Sequence, residues 1–342
     1  MSALRVINAG FAPTIQDLGR PHVQNLGVPP SGALDPVALR IANALVGNPS
    51  DAAGLELRVM GPTLDVAAES VRVALVGTAT PIDLLGDRPA VIPAHESVRL
   101  DRGHRFRIGG LSDTGVAYLA VEGGFDVPAV YDSRSTYVRA RIGGVNGHAV
   151  ADGDELPLAL DAVPKGEERR CGDLSWREEA GPFRVVLGPQ DDYIAERSIE
   201  AFFAADYTAS READRMGIRL DGPTLEHARG HDIVSDGIAT GAIQVPGNGR
   251  PIVLLADHQT TGGYPKLGTV ISADVPRLGR LRPGDTLRFE RITIAKAELL
   301  RREMEQRVTK LIEWFEPAGA WLDEAALYRE NLVSGVVGSA DG

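Results

Sequence analysis

The sequence predicts a mainly β protein, two related β-domains in tandem with few helices and a helix near the C-terminus. Three observations carry this. Short runs rich in β-branched residues recur along the chain, and its 39 glycines and 22 prolines are spread between them rather than concentrated. Strands this short, punctuated by turn formers, suit barrels or sandwiches. Finally, three short stretches of the first half return in the same order in the second.

The strand runs are Val71 to Val76, Ser97 to Leu100, Val116 to Val121, Phe183 to Leu187, Ile252 to Leu255, Thr269 to Ile271 and Leu287 to Phe289. Among the helices, Asp35 can cap one that begins at Pro36 and ends at Gly47, with Pro49 beyond. Val37, Ile41 and Leu45 then share a face at four-residue spacing. A short helix is expected over Tyr193 to Phe203. The long one runs from about Ile294 to Phe315, with Leu300, Met304, Val308, Leu311 and Phe315 along one stripe. Arg and Glu fill its other face, so it should pack one side on a barrel or on a partner. The tail from Gly335 to Gly342 is small and polar, and is expected to fray.

The internal echo pairs Gly61-Pro62-Thr63-Leu64 with Gly222-Pro223-Thr224-Leu225, and Tyr118 to Phe125 with Leu254 to Tyr264. It also pairs Gly153-Asp154-Glu155-Leu156 with Gly284-Asp285-Thr286-Leu287. The expected division is a first β-domain over 1–160, a charged linker over 161–182 and a second β-domain over 183–290. A helical extension over 291–332 and a flexible tail over 333–342 follow. Tandem copies leave a groove between them, where ligands commonly bind.

Composition excludes several classes of function. The 36 basic and 47 acidic residues leave a net charge of −11, the wrong sign for nucleic acid or an anionic membrane surface. No apolar run reaches bilayer length, and Met1 to Gly10 lacks the pattern of a signal peptide. A cytoplasmic protein is expected. Cys171 stands alone, so no disulfide or thiolate zinc cluster is expected, and in the charged stretch Lys165 to Glu179 it reads as an inert surface thiol. There is no phosphate-binding G-x-x-x-x-G-K-[ST] loop, no G-x-S-x-G elbow and no Lys-Met pair of the kind that carries biotin. His227 and His231 have a metal-ligand spacing, but Ala228-Arg229-Gly230 between them breaks helix; they read as exposed loop histidines, and no metal is expected.

Three clusters are left for chemistry. The richest is Asp257-His258-Gln259-Thr260-Thr261-Gly262-Gly263-Tyr264-Pro265-Lys266, which follows an apolar strand. Gly262 and Gly263 permit positive φ and close backbone approach. Two hydroxyls, an amide, a carboxylate and an ammonium could hold a small amide-bearing ligand and supply a base and a cation; the alternative is a turn dressed in turn-forming residues. A second cluster joins Thr14-Ile15-Gln16-Asp17-Leu18-Gly19-Arg20 to Gly27 through Asp35. There Arg20 could fork onto a carboxylate, and Ser31 and Gly32 precede the capped helix. The third, Arg211 to Gly217, reads by itself as a surface ion-pair run.

Taken together, Thr14 to Arg20, Gly27 to Asp35, Asp214 to Leu220 and Gln259 to Pro265 resemble the family named allophanate hydrolase subunit 2, also called biotin-dependent carboxyltransferase or the 5-oxoprolinase C subunit. The likeness runs from about residue 5 to 290, with four motifs in family order. Where the family commonly has Ser before Asp-Arg-Met-Gly, this chain has Ala213.

The resemblance implies cyclophilin-like β-barrel domains and an obligate partner, the family's subunit-1-type chain or B subunit, with an A subunit as well. It implies one of two activities: opening of 5-oxoproline to glutamate with ATP as co-substrate of the complex, or transfer of a carboxyl group from biotin to urea. The chain carries neither a biotin-carboxylase region nor a carrier lysine, which favours the first. A regulatory partner without enzymatic activity is the third reading. On the first, Asp257, Lys266 and Thr261 are the candidate catalytic residues. The candidate substrate-binding residues are Gln259, Thr260, Gly262, Gly263, Tyr264, Gln16, Asp17, Arg20, Ser31 and Arg215.

Overall fold

The computed structural model describes residues 2–174 and 181–318. The first half folds into two antiparallel sheets that face each other. One runs in the order 155–157, 3–8, 63–66, 105–108, 82–85 and 90–92, and the other in the order 14–16, 54–57, 117–121, 70–76 and 97–101. Leu4, Leu64, Ile82 and Phe106 from the first sheet meet Ile15, Leu55, Val73 and Leu119 from the second in one core.

The Ser70–Val76 strand is buried along its whole length, and the two-residue period of a strand explains how. Val71, Val73 and Leu75 point into the core between the sheets, whereas Ala74 and Val76 point to the opposite face with Tyr118 and Ala120. Helix α1 (Pro36–Leu45) covers that opposite face. Asp35 caps it, its carboxylate accepting from the Ala38 amide at 2.9 Å, and Gly47 follows its end at φ +82°. Val37, Ile41 and Leu45 of α1 join a second core that also holds Phe183, Tyr207, Ile243, Val253 and Phe289. One helix is thus packed by both halves of the chain.

The second half is an eight-stranded sheet in the order 286–287, 207–209, 217–221, 252–254, 242–244, 266–270, 183–187 and 289–291. Only Phe183–Leu187 and Phe289–Arg291 pair in parallel. Its two outermost strands are neighbours in sequence, separated by Arg288, so the sheet nearly closes on itself. The run Leu287 to Phe289 therefore splits between opposite edges instead of forming one strand, because barrel closure requires a corner there. Helix α2 (Glu196–Ala204), preceded by a 3₁₀ turn at Asp191–Tyr193, and the short α3 (Val275–Gly279) complete this half. Helix α4 (Ile294–Glu313) lays Met304 and Val308 on the core shared with α1 and holds Arg40 of α1 through Glu305 at 2.8 Å.

Cys171 is buried, not a surface thiol, and its amide donates to the His95 carbonyl. The segment before it lies on the first half: Val163 is buried, and Glu168 accepts from Arg72 and Ser97. The tail from Gly335 lies outside the described residues. Of the internal echoes, Gly153-Asp154 and Gly284-Asp285 adopt the same turn. Both glycines have positive φ, and each aspartate side chain accepts from the amide three residues before it at 2.8 Å. Gly61 to Leu64 leads into a strand, whereas Gly222 to Leu225 lies in a loop.

Candidate functional site

Two motifs that are separate in the sequence meet backbone to backbone. Gly19 and Gly32 have φ of +90° and +85°; a Cβ on Gly19 would fall 2.7 Å from the Pro30 carbonyl oxygen, and one on Gly32 2.7 Å from the Gly19 nitrogen. Only glycine fits at both places. The Arg20 amide donates to Pro30 and the Ala33 amide to Asp17. Asp17 is the hub of this region, accepting from the Gly19 amide (2.8 Å), the Arg134 amide (2.5 Å) and the hydroxyls of Ser133 (2.7 Å) and Ser135 (2.5 Å). Gln16 donates to Thr14 and to the Thr136 carbonyl, which leaves its buried Oε1 without a partner. Arg20 is buried, with Nη2 donating to the Ser135 carbonyl and Nη1 unpartnered. Burial lowers its pKa, against the nearby carboxylates of Asp17 and Asp257.

Arg215 ties the halves together. Its guanidinium forks onto Asp257, Nε to Oδ2 at 2.8 Å and Nη2 to Oδ1 at 3.1 Å, and donates to the Gly32 carbonyl at 2.7 Å and to Glu56. Glu56 also accepts from the Tyr118 hydroxyl at 2.6 Å and the Leu34 amide at 3.0 Å, and the same hydroxyl accepts from the Asp35 amide. Burial acts to lower the Arg215 pKa, but Glu56 and Asp257 outweigh it and the net shift is upward. Burial first, then the Glu56 and Asp35 carboxylates, push Tyr118 well up. Both oxygens of Asp257 accept from Arg215.

Next to this brace, the Ser31 amide donates to the Ala256 carbonyl at 2.9 Å from a backbone at φ +52°, and its buried hydroxyl has no partner. His258 is fully buried. Its Nδ1 lies 2.7 Å from the Gln259 carbonyl oxygen, which can only accept, so Nδ1 carries the hydrogen and Nε2 the lone pair. Nε2 has no partner. Burial lowers the His258 pKa against the opposing pull of that carbonyl and of Asp257. A neutral imidazole with a lone pair to offer is a base.

The third group sits on the eight-stranded sheet of the second half. Gln259 donates to Gln244 Oε1 at 3.0 Å, and Gln244 lies opposite Lys266 in the strand register. Lys266 Nζ is 3.2 Å from Asp236 Oδ2, an ion pair that holds the Asp236 carboxyl below its ordinary pKa. Thr261–Gly262 pairs with Asp236–Gly237. Gly262 and Gly263 are not among the glycines with positive φ. A Cβ at Gly262 would fall 2.5 Å from Gln244 Nε2, the movable tip of a side chain that would have to shift to admit it. Thr260 is half-buried, while Thr261 and Tyr264 are exposed.

The structure thus brings Asp17, Arg20, Ser31, Arg215 and Asp257 to one junction. Gln259, Gly262 and Lys266 gather beside Gln244, and Thr261 and Tyr264 point outward. Sequence reading missed Glu56, Tyr118, Ser133, Ser135 and Gln244 and gave no role to His258. The available signals were a carboxylate inside the apolar run Gly54–Leu57 and the hydroxyl run Ser133 to Thr136. His227 is half-buried, its Nε2 bonded to the Pro246 carbonyl, and His231 is exposed. A cleft of about 910 Å³ lined by His95, Asp113, Phe183, Arg277 and Arg288 holds none of the candidate residues.

The sequence matches the family described as carboxyltransferase domain, subdomain A and B, over residues 26–291. It is 35% identical over 311 residues to the 5-oxoprolinase C subunit of Escherichia coli (strain K12), covering 91% of this chain and 98% of that protein. The protein of the same name from Haemophilus influenzae is 35% identical over 300 residues, covering 85% of this chain and 92% of the other. The crystal structure of the K. lactis urea amidolyase superposes with a TM-score of 0.82 at 28% identity, over 90% of this chain and 20% of that one.

Proposed function

Since the chain belongs to the family of carboxyltransferase domains with subdomains A and B, we propose that it is the C subunit of an ATP-dependent 5-oxoprolinase, working with the A and B subunits. The observation that carries this reading is its 35% identity to the E. coli C subunit over 98% of that protein. The complex would open the lactam of 5-oxo-L-proline to L-glutamate, with ATP supplying the phosphoryl group that makes the ring carbonyl carbon electrophilic.

This chain's residues suit the part of that reaction that handles the amide and the water. The unpartnered Nε2 of His258 takes a proton from the attacking water. Arg20 and Lys266 offset negative charge, and Gln259 and Gln244 present amide groups to the substrate. Asp257 holds the loop in register through Arg215. These roles rest on the unmet hydrogen-bonding capacity at Arg20, His258, Gln244 and Lys266, since buried polar atoms without a partner are uncommon and call for one.

A second reading is favoured by the family description and by the fit to the urea amidolyase: a carboxyltransferase acting on urea, with biotin carried by another chain. Urea and a lactam share the N–C=O group. The test is glutamate release from 5-oxoproline by this chain mixed with the A and B subunits, with and without ATP. Glutamate that requires ATP and vanishes when this chain is omitted is the expected result. No glutamate from an assembled complex, with carboxylation of urea once biotin carboxylase and bicarbonate are added, selects the second reading. Assembly with neither activity selects a regulatory partner.

A further inference from the structure

Lys266 and its counter-ion differ sharply in exposure. The lysine side chain is 8% exposed, whereas Asp236, 3.2 Å away, is 53% exposed and lies on a loop. That loop, residues 230–238, pairs with Thr261–Gly262 just before the strand that carries Lys266 and has little of its own to hold it. Between His231 and Thr240 only Ile238 is buried, and Val234 is 92% exposed. Its attachments are a two-residue ladder from Asp236–Gly237 to Thr261–Gly262 and bonds from the Ile233 amide to Gly263 and the Ile238 amide to Thr260. Gln24 adds a bond to the Ile238 carbonyl and Gln190 one to Asp236. A segment with so few buried contacts opens at low cost compared with the barrel beneath it.

What it covers is unsatisfied. Lys266 Nζ, Gln244 Nε2 and Gln190 Oε1 are all buried without a hydrogen-bond partner. Gln244 stands opposite Lys266 in the ladder, and Gln190 reaches the same carboxylate that pairs with Lys266. An ammonium and an amide NH₂ that lack acceptors call for a carboxylate or carbonyl oxygen. The free amide oxygen calls for an N–H. Asp236 answers the ammonium's charge, but it is a half-exposed group that comes from the solvent side.

We infer that residues 230–238 form a lid over a subsite for a small carboxylate bearing an N–H, with Lys266, Gln244 and Gln190 as its binding groups. Asp236 holds the place of the ligand carboxylate while the lid is shut. The ligand must displace Asp236 from Lys266, so binding and lid release are linked. The identity of that ligand as 5-oxoproline rests on the function proposed above, whereas the subsite's preference for a carboxylate rests on these three side chains.

Amide hydrogen exchange of the full chain tests this without activity. Replacement Asp236→Ala should speed exchange of the Ile233 and Ile238 amides several-fold and leave the Ala242–Gln244 strand unchanged. It should also tighten 5-oxoproline binding by about two- to five-fold, the scale of a solvent-screened ion pair. In the native chain, 5-oxoproline should speed the same two amides, and the neutral lactam 2-pyrrolidinone should not. Lys266→Met should abolish the response to 5-oxoproline. Unchanged lid exchange in Asp236→Ala, or equal release by 2-pyrrolidinone, overturns the inference. Calorimetric binding of 5-oxoproline with no change in the lid also overturns it and leaves the substrate reading intact. Release by acetate but not by 5-oxoproline keeps the carboxylate subsite and removes 5-oxoproline as its ligand.

Discussion

Arg215→Met removes the cation that pairs directly with two buried carboxylates. Glu56 is 1% exposed and Asp257 6%, and both have Arg215 as a partner within salt-bridge distance. Breaking a buried pair from one side costs about 3–5 kcal/mol, because the surviving charge is left desolvated. Here two charges survive, so the upper end of that range is expected. At roughly 2 °C per kcal/mol for a chain of this size, the melting midpoint should fall by about 10 °C. Tyr118→Phe strips only the hydroxyl that bridges Glu56 and the Asp35 amide and should cost about 1–3 kcal/mol. The sharper test is a triple variant, Glu56→Gln with Asp257→Asn and Arg215→Met. Replacing all the charges with neutral groups of similar shape removes the desolvation penalty and should recover most of the lost stability. Urea and thermal unfolding measure all three proteins. An Arg215→Met protein within about 1 kcal/mol of the native chain would refute the reasoning, as would a triple variant less stable than the single one.

Protonation of His258 follows from its depressed pKa. The unfolded histidine binds a proton near its ordinary value of about 6.5, while the folded one resists until lower pH. Its contribution to stability is complete above the unfolded value and is lost as pH falls toward the folded one. His258→Gln should flatten that part of the stability profile, and the acid limb of glutamate formation should lie below the ordinary histidine value; a limb at or above it removes His258 as the base. Gly32→Ala puts a Cβ against the Gly19 backbone at φ +85° and should destabilise by about 1–3 kcal/mol or more, read by urea unfolding; an unchanged midpoint would mean that the two motifs do not depend on that contact. Thr261 is exposed, so Thr261→Ala should melt within about 0.5 kcal/mol of the native chain. If glutamate release by the complex is also unchanged, Thr261 leaves the catalytic set, whereas its loss with normal melting keeps it there.

Much of the candidate site could be read in advance as places, less as roles. The stretch from Asp257 to Lys266 stood out because polar side chains of several kinds follow an apolar strand at once. Its reading as a single cluster was too simple, since Asp257 turns to Arg215 and Glu56 while Lys266 and Gln259 turn to Gln244 and the 230–238 loop. The run around Arg215 looked like surface charge because the carboxylate that buries it, Glu56, lies 159 residues away. Gly262 shows the limit in another way: the expected backbone freedom is not used, since its φ is not positive, and a Cβ there would meet only the movable ends of the Gln244 and Ile238 side chains.

By itself the sequence determined whatever depends on neighbours a few residues apart. Short β-branched runs between turn formers specify the strands, Asp35-Pro36 and Gly47 delimit α1, and the Gly-Asp turns at 153 and 284 repeat because each is closed by its own side chain. Tertiary structure decided what joins distant segments. It placed α1 in a core shared by both halves, split Leu287 to Phe289 at the barrel corner and buried Cys171. It also set Gly19 against Gly32, and Arg215 between Asp257 and Glu56. Local rules act through hydrogen bonds within a turn or a strand, whereas these contacts exist only once the sheets have packed and the two halves have excluded water from the junction between them.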